Sequence, residues 1–109
     1  MTPVEHLRSA LSSLAGVRQA TSRFGSRDNP AWIVAGREFA HLHSSHLLDL
    51  RLPRSAQSAL RSDPRAHFRK SPSEWVELEF HTLEDVALLE VLVRKAWTAV
   101  HRQRRKRIS

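Results

Sequence analysis

The chain contains no cysteine. Disulfide staples and thiolate metal centres are therefore excluded, and a reducing compartment, the cytoplasm, is the expected address. Only three glycines occur in 109 residues, which leaves little room for a glycine-rich loop that would cradle phosphates. No Ser-His-Asp arrangement and no HExxH zinc helix is recognisable. Long apolar runs are missing too: nothing reaches the roughly 18 residues of a membrane span. The opening MTPVEHLRSALSSLAG is broken by Glu5, His6 and Arg8, so it is expected to be neither a signal peptide nor an anchor.

What is present fits one globular domain, with 40% hydrophobic and 27% charged residues. The formal net charge of +7 is unevenly placed. Arg102, Arg104, Arg105, Lys106 and Arg107 follow one another with no acid among them, leaving a mildly basic body. The expected division is a single domain over residues 1–101 and a basic tail over 102–109.

Thr2-Pro3 is a helix start, and Val4, Leu7, Leu11 and Leu14 follow at helical spacing up to Gly16. Residues 17–24 suggest an edge strand ending in the breaker-rich GSRDNP. AWIV and EFAHLH are two further strands, joined by a tight hairpin in which Gly36 supplies a positive φ. LLDLRL pairs with EFAHLH, Pro53 ends it, and RSAQSALRS reads as a short helix. HFRK is a short strand, and EWVELEF alternates as a half-buried one. Thr82 and Asp85 form a capping-box-like start to a final helix whose stripe is Val86, Leu89, Val93, Ala96, Trp97 and Val100, widened by Leu88 and Leu92. The fold class is α+β: an antiparallel sheet of five or six strands, with the N-terminal helix and the long C-terminal helix on one face.

A Ser44-Ser45 turn would set Leu42 opposite Leu47, His41 opposite Leu48, Ala40 opposite Asp49 and Glu38 opposite Arg51. One face then carries Phe39, His41, His43, His46, Leu48, Leu50 and Leu52, while Glu38 and Asp49 point the other way. A longer loop that shifts this pairing stays open.

The segment REFAHLHSSHLLDLRLP, followed by SEWVELEFHTLEDVALLEVLVRKAW, resembles the small domain family named for fungal luciferase. The likeness lies in a REFAHLH-type strand, an LRLP-type strand and a tryptophan strand feeding the last helix, over most of residues 31–100. It implies a shared α+β domain. The fungal enzymes oxidise a hydroxypyrone with molecular oxygen but are larger, so the resemblance does not carry that reaction over. In layout alone the chain is also similar to the small YjbR-like bacterial proteins, which implies DNA binding as the alternative.

His41, His43 and His46 form the sharpest candidate site. Three imidazoles suit zinc or iron, yet the register above puts no carboxylate beside them, and no metal or cofactor is expected. The plain reading makes His41 a hydrogen-bonded core residue and leaves His43 and His46 at an exposed tip. A third reading, which the family resemblance favours, uses the histidines as hydrogen-bonding or basic groups beside Phe39 and Trp75 in a pocket for a small apolar or aromatic ligand. The alternative partner, nucleic acid, would be held by Arg65, Arg69, Lys70 and the basic tail. No membrane partner is expected.

Overall fold

Helix α1, Pro3–Ser12, begins as the sequence predicts: Thr2 Oγ1 accepts from the Glu5 N–H, and the Glu5 carboxylate accepts from the Thr2 N–H. These reciprocal bonds satisfy two amides that the helix itself cannot. The computed structural model describes residues 1–21, 29–70 and 73–108, the last six by backbone alone. The last part of the expected 17–24 strand therefore lies outside the described residues.

Strands β1 (Arg18–Thr21), β2 (Pro30–Val34), β3 (Arg37–Ser44), β4 (Leu47–Arg51), β5 (Ala66–Phe68) and β6 (Trp75–Glu79) form one antiparallel sheet in the order β1-β2-β3-β4-β6-β5. Between β4 and β5 lies the short helix α2, Arg54–Gln57, extended by a 3-10 turn over Ser58–Leu60. Ala35 and Gly36 both have positive φ, 53° and 78°, and make the β2–β3 hairpin tight. Glycine takes that conformation freely, whereas Ala35 holds it against a steric cost of about 1 kcal/mol.

Alternation decides which residues face the helices. Trp32, Ala40, Leu42, Leu48, Leu50, Val76 and Leu78 turn inward and are buried together with Leu7 and Leu11 of α1. Helix α3, Leu83–Ile108, covers them with Val86, Leu89, Val93, Ala96 and Val100. The stripe is narrower than the sequence suggests: Leu88 is about half exposed, and Leu92 and Trp97 only flank the core. Trp97 donates its indole N–H to the Ala15 carbonyl at 2.9 Å, tying α3 to the end of α1. None of the described helices is long and apolar enough to cross a membrane. The basic segment continues α3 as far as Ile108, and the side chains of Arg104, Arg105, Lys106 and Arg107 lie outside the described residues.

The β3–β4 register differs from the expected one. Ala40 pairs with Leu50, His41 with Asp49 and Leu42 with Leu48, after which a bulge leaves His43 extra and Ser44 faces Leu47. The turn is Ser45-His46 rather than Ser44-Ser45. A one-residue slip reverses every facing relation. Leu48 and Leu50 thus lie on the opposite face from His41, and Arg51 pairs with Glu74 at 3.0 Å instead of with Glu38. Matching the apolar rows of both strands on the core outweighed the single Glu38–Arg51 attraction, because burying a leucine is worth about 1.5–3 kcal/mol and an exposed ion pair under about 1.

Asp85 secures the start of α3. Its Oδ2 accepts from the N–H groups of His81 and Thr82, while Oδ1 accepts from Arg65 at 2.9 Å. Thr82 Oγ1 accepts from the Asp85 N–H in return. Arg65 also grips Asp63. The backbone bonds from His81 and Thr82 and the Arg65 contact hold the Asp85 carboxyl below its usual range, and Arg65 does the same for Asp63. Replacing Asp85 by alanine is expected to cost about 1–2 kcal/mol in urea denaturation. Because both carboxyls have lowered pKa values in the folded state, the stability they add is full above the ordinary aspartate value of about 3.9 and is lost as pH falls through the lowered ones. Acid titrations should therefore show the gap between wild type and Asp85→Ala closing only below about pH 4.

Candidate functional site

Two bulges build the site. In the β2–β3 ladder Trp32 pairs with Ala40 and Ile33 with Glu38, so Phe39 is an extra residue in β3. That insertion lets Phe39 and Ala40 both enter the core and puts Glu38 and His41, three apart, on the same outer face. The second bulge, at His43, turns its ring back over β4. The row directly across this face runs Ala31, His41, Asp49, Glu77, His67.

Asp49 is the centre of it. The side chain is fully buried, and its Oδ2 lies 2.8 Å from His41 Nε2 and 2.6 Å from His43 Nε2. The Arg69 guanidinium approaches the same oxygen at 3.5 Å. Trp75 reaches over from β6 to stack against His41, ring centroids 5.1 Å apart, and His43 meets His41 edge-on at 5.2 Å. Burial alone would raise the Asp49 carboxyl, but hydrogen bonding and electrostatic attraction from His41 and His43 outweigh it and hold the group below the usual carboxylate range. A carboxylate can only accept, so each imidazole presents a proton on Nε2. On His41 the other nitrogen, Nδ1, faces Glu38 Oε2 at 3.2 Å. Among the described residues, Asp49 Oδ1 and Glu38 Oε2 are buried without hydrogen-bond partners. Chemically, the arrangement can hold a cation between the rings and the carboxylate, or use His43, 40% exposed, as an oriented donor or base.

The three histidines do not stay together. His46 sits in the β3–β4 turn, and its ring stacks on His81, centroids 5.0 Å apart. His81 and His67 both approach Glu79, at 3.6 and 2.6 Å, and lower its pKa, His67 by hydrogen bonding the more strongly. Phe39 lies in the core, separated by the sheet from the face that carries His41. Trp75 lies on the same outer face, against His41. Asp49 and Glu38 were missed because the expected register sent them to the other face. The signal for them was the alternation itself: Leu48-Asp49-Leu50-Arg51-Leu52 beside Ala40-His41-Leu42-His43 aligns leucines with Ala40 and Leu42 and sets Asp49 against His41.

Trp75 also borders a cleft of about 140 Å³ at the ends of β5 and β6, lined by Arg54, Gln57, Arg61, Phe68, Arg69, Lys70 and Ser73. Four cations around one small opening raise the local concentration of anions. Gln57 is fixed there by donating to the Leu52 and Ser73 carbonyls, and Arg61 lies over the Phe68 ring. A larger, open groove of about 760 Å³ runs between α2 and α3, bordered by Val91, Thr98 and Arg102 among others. Of the residues expected to contact nucleic acid, Arg65 is engaged by Asp63 and Asp85, Arg69 and Lys70 border the cleft, and Arg102 the groove.

Comparison with known proteins gives one match. No curated protein and no solved structure matches the chain. A family comparison aligns residues 36–96 with the Luciferase domain, a span that runs from the β2–β3 hairpin through His41, Asp49 and Trp75 into α3. Covering more than half of the sequence, this match shows that the chain belongs to the Luciferase domain family.

Proposed function

We propose that this domain binds a small aromatic molecule bearing an anionic group, with the ring against Trp75 beside the Asp49-held histidines and the anionic end in the cleft of Arg54, Arg61, Arg69 and Lys70. The observation that carries the reading is the position of Trp75, which contacts His41 on one side and lines the basic cleft on the other. A cleft of about 140 Å³ is well below the roughly 300–1,000 Å³ of sites that enclose a whole ligand. It therefore suits a carboxylate or phosphate group, with the rest of the molecule lying along the outer face of the sheet. Guanidinium groups favour such oxyanions through paired N–H donors. His43, oriented by Asp49, would add a hydrogen bond at the far end.

The test is ligand-observed NMR with a panel of benzoates, cinnamates and phenyl phosphates, each beside an uncharged amide of the same shape. At least one acid should bind, and its amide should bind more weakly, by about tenfold for each charge-assisted hydrogen bond lost, taking about 1.5 kcal/mol per bond. Trp75→Ala should abolish the signal while the variant remains folded by circular dichroism. Equal binding of acids and amides, or binding that survives Trp75→Ala, would refute the reading.

A further inference from the structure

We propose that His41, His43 and Asp49 form a binding site for a divalent transition-metal ion of the zinc or ferrous class. This goes beyond the ligand reading above and does not depend on it.

His41, His43 and Asp49 can each offer one ligand atom, and these atoms all lie within 4.8 Å of one another; the ring nitrogens next to Asp49 Oδ2 are Nε2 of both histidines. Bonds of about 2.0–2.2 Å to a tetrahedral ion put donor atoms about 3.3 Å apart. The contacts of 2.8 and 2.6 Å to Asp49 Oδ2 thus need only a small opening of the cluster. Two imidazoles and one carboxylate suit zinc or iron, and they leave further positions for water or a ligand atom.

Two further observations point the same way. Among the described residues Asp49 Oδ1 is buried with no hydrogen-bond partner, an acceptor that a cation would satisfy. Glu38 Oε2, also buried and without a hydrogen-bond partner, stands 3.2 Å from Nδ1 of His41. Coordination through Nε2 moves the imidazole proton to Nδ1, where Glu38 is placed to accept it. A carboxylate behind a ligating histidine orients the ring and raises its basicity. Glu77 sits opposite Asp49 in the β4–β6 ladder and adds negative charge to the same row. The opposing cation is Arg69, 3.5 Å from Asp49 Oδ2 and about half exposed, which can swing outward as an ion enters past His43.

The experiment uses the full chain, stripped with a chelator and titrated with Co²⁺ by visible absorption, then with Zn²⁺ by calorimetry. Expected are one ion per chain, ligand-field bands of a nitrogen–oxygen site, and displacement of Co²⁺ by Zn²⁺. His43→Ala, chosen because its side chain is the most exposed of the three, should weaken binding by more than about tenfold, and Glu38→Gln by about ten- to a hundredfold. His81→Ala, which removes the competing His46–His81 pair, should leave affinity unchanged. Arg69→Gln should tighten the metal while weakening any anionic ligand, so failure of this site and failure of the ligand reading give different results. Absence of one-to-one binding, affinity indifferent to His43→Ala and Asp49→Asn, or weaker binding in Arg69→Gln would overturn the proposal.

Discussion

Replacing Trp32 by alanine is expected to destabilise the domain by about 4 kcal/mol, within the range for large aromatic residues removed from a core. Trp32 is completely buried at the centre of β2's inward row, and its indole N–H donates to Ser12 Oγ at 3.0 Å, where α1 ends. Truncation removes the ring that fills the space between sheet and α1, and it strands no buried partner, because Ser12 is exposed and can turn to water. For a domain of about this size the loss amounts to roughly 20 °C in Tm, taking about 5 °C per kcal/mol. Trp32→Phe keeps most of the volume and should cost only about 1–2 kcal/mol, since it loses one hydrogen bond and part of the ring. Thermal unfolding of the two variants checks both values. Equal losses would mean that the hydrogen bond, and not packing, joins α1 to the sheet.

Asp49→Ala is expected to cost about 3 kcal/mol, the lower end of the range for removing one partner from a buried charged pair. The carboxylate is the common acceptor for His41 and His43, and only His43 reaches water. Without Asp49, the nearly buried His41 loses the carboxylate that accepts from its Nε2. The double variant Asp49→Leu/His41→Leu is expected to recover most of the loss, because well-packed apolar residues often match or exceed a buried polar pair in stability. Urea denaturation of the single and double variants measures the coupling directly. Recovery in the double variant would identify the buried cluster as one held for chemistry at the expense of stability. A double variant less stable than Asp49→Ala alone would instead give the cluster a structural role.

The elements were legible where one local signal dominated. Thr2-Pro3 and Thr82 with Asp85 cap their helices through the expected side chains, and the alternation in WVELEF places Val76 and Leu78 in the core. Gly36 turns the hairpin as its type requires. Register was less legible, because two bulges, at Phe39 and His43, break the period-two counting that sequence reasoning depends on. Part of the site was lost with it. His41, His43 and Trp75 are identifiable by residue type, but the register that sets Glu38 against Arg51 puts their common carboxylate on the other face, against the leucine alternation. His46 was grouped with them by closeness in sequence, whereas the turn carries it to His81. Of the basic cleft only Arg69 and Lys70 are legible as a basic stretch, since Arg54 and Arg61 lie apart from them in sequence and join them only in the folded chain.

Amide and indole chemical-shift mapping during titration with the strongest aromatic acid tests the central claim most directly. The account predicts that the largest shifts fall on the Trp75 indole N–H and on the amides of Arg69, Lys70, His43 and Asp49. Unmoved Trp75 and Asp49 resonances, with shifts gathered instead at Val91, Thr98 and Arg102 in the groove between α2 and α3, would contradict it.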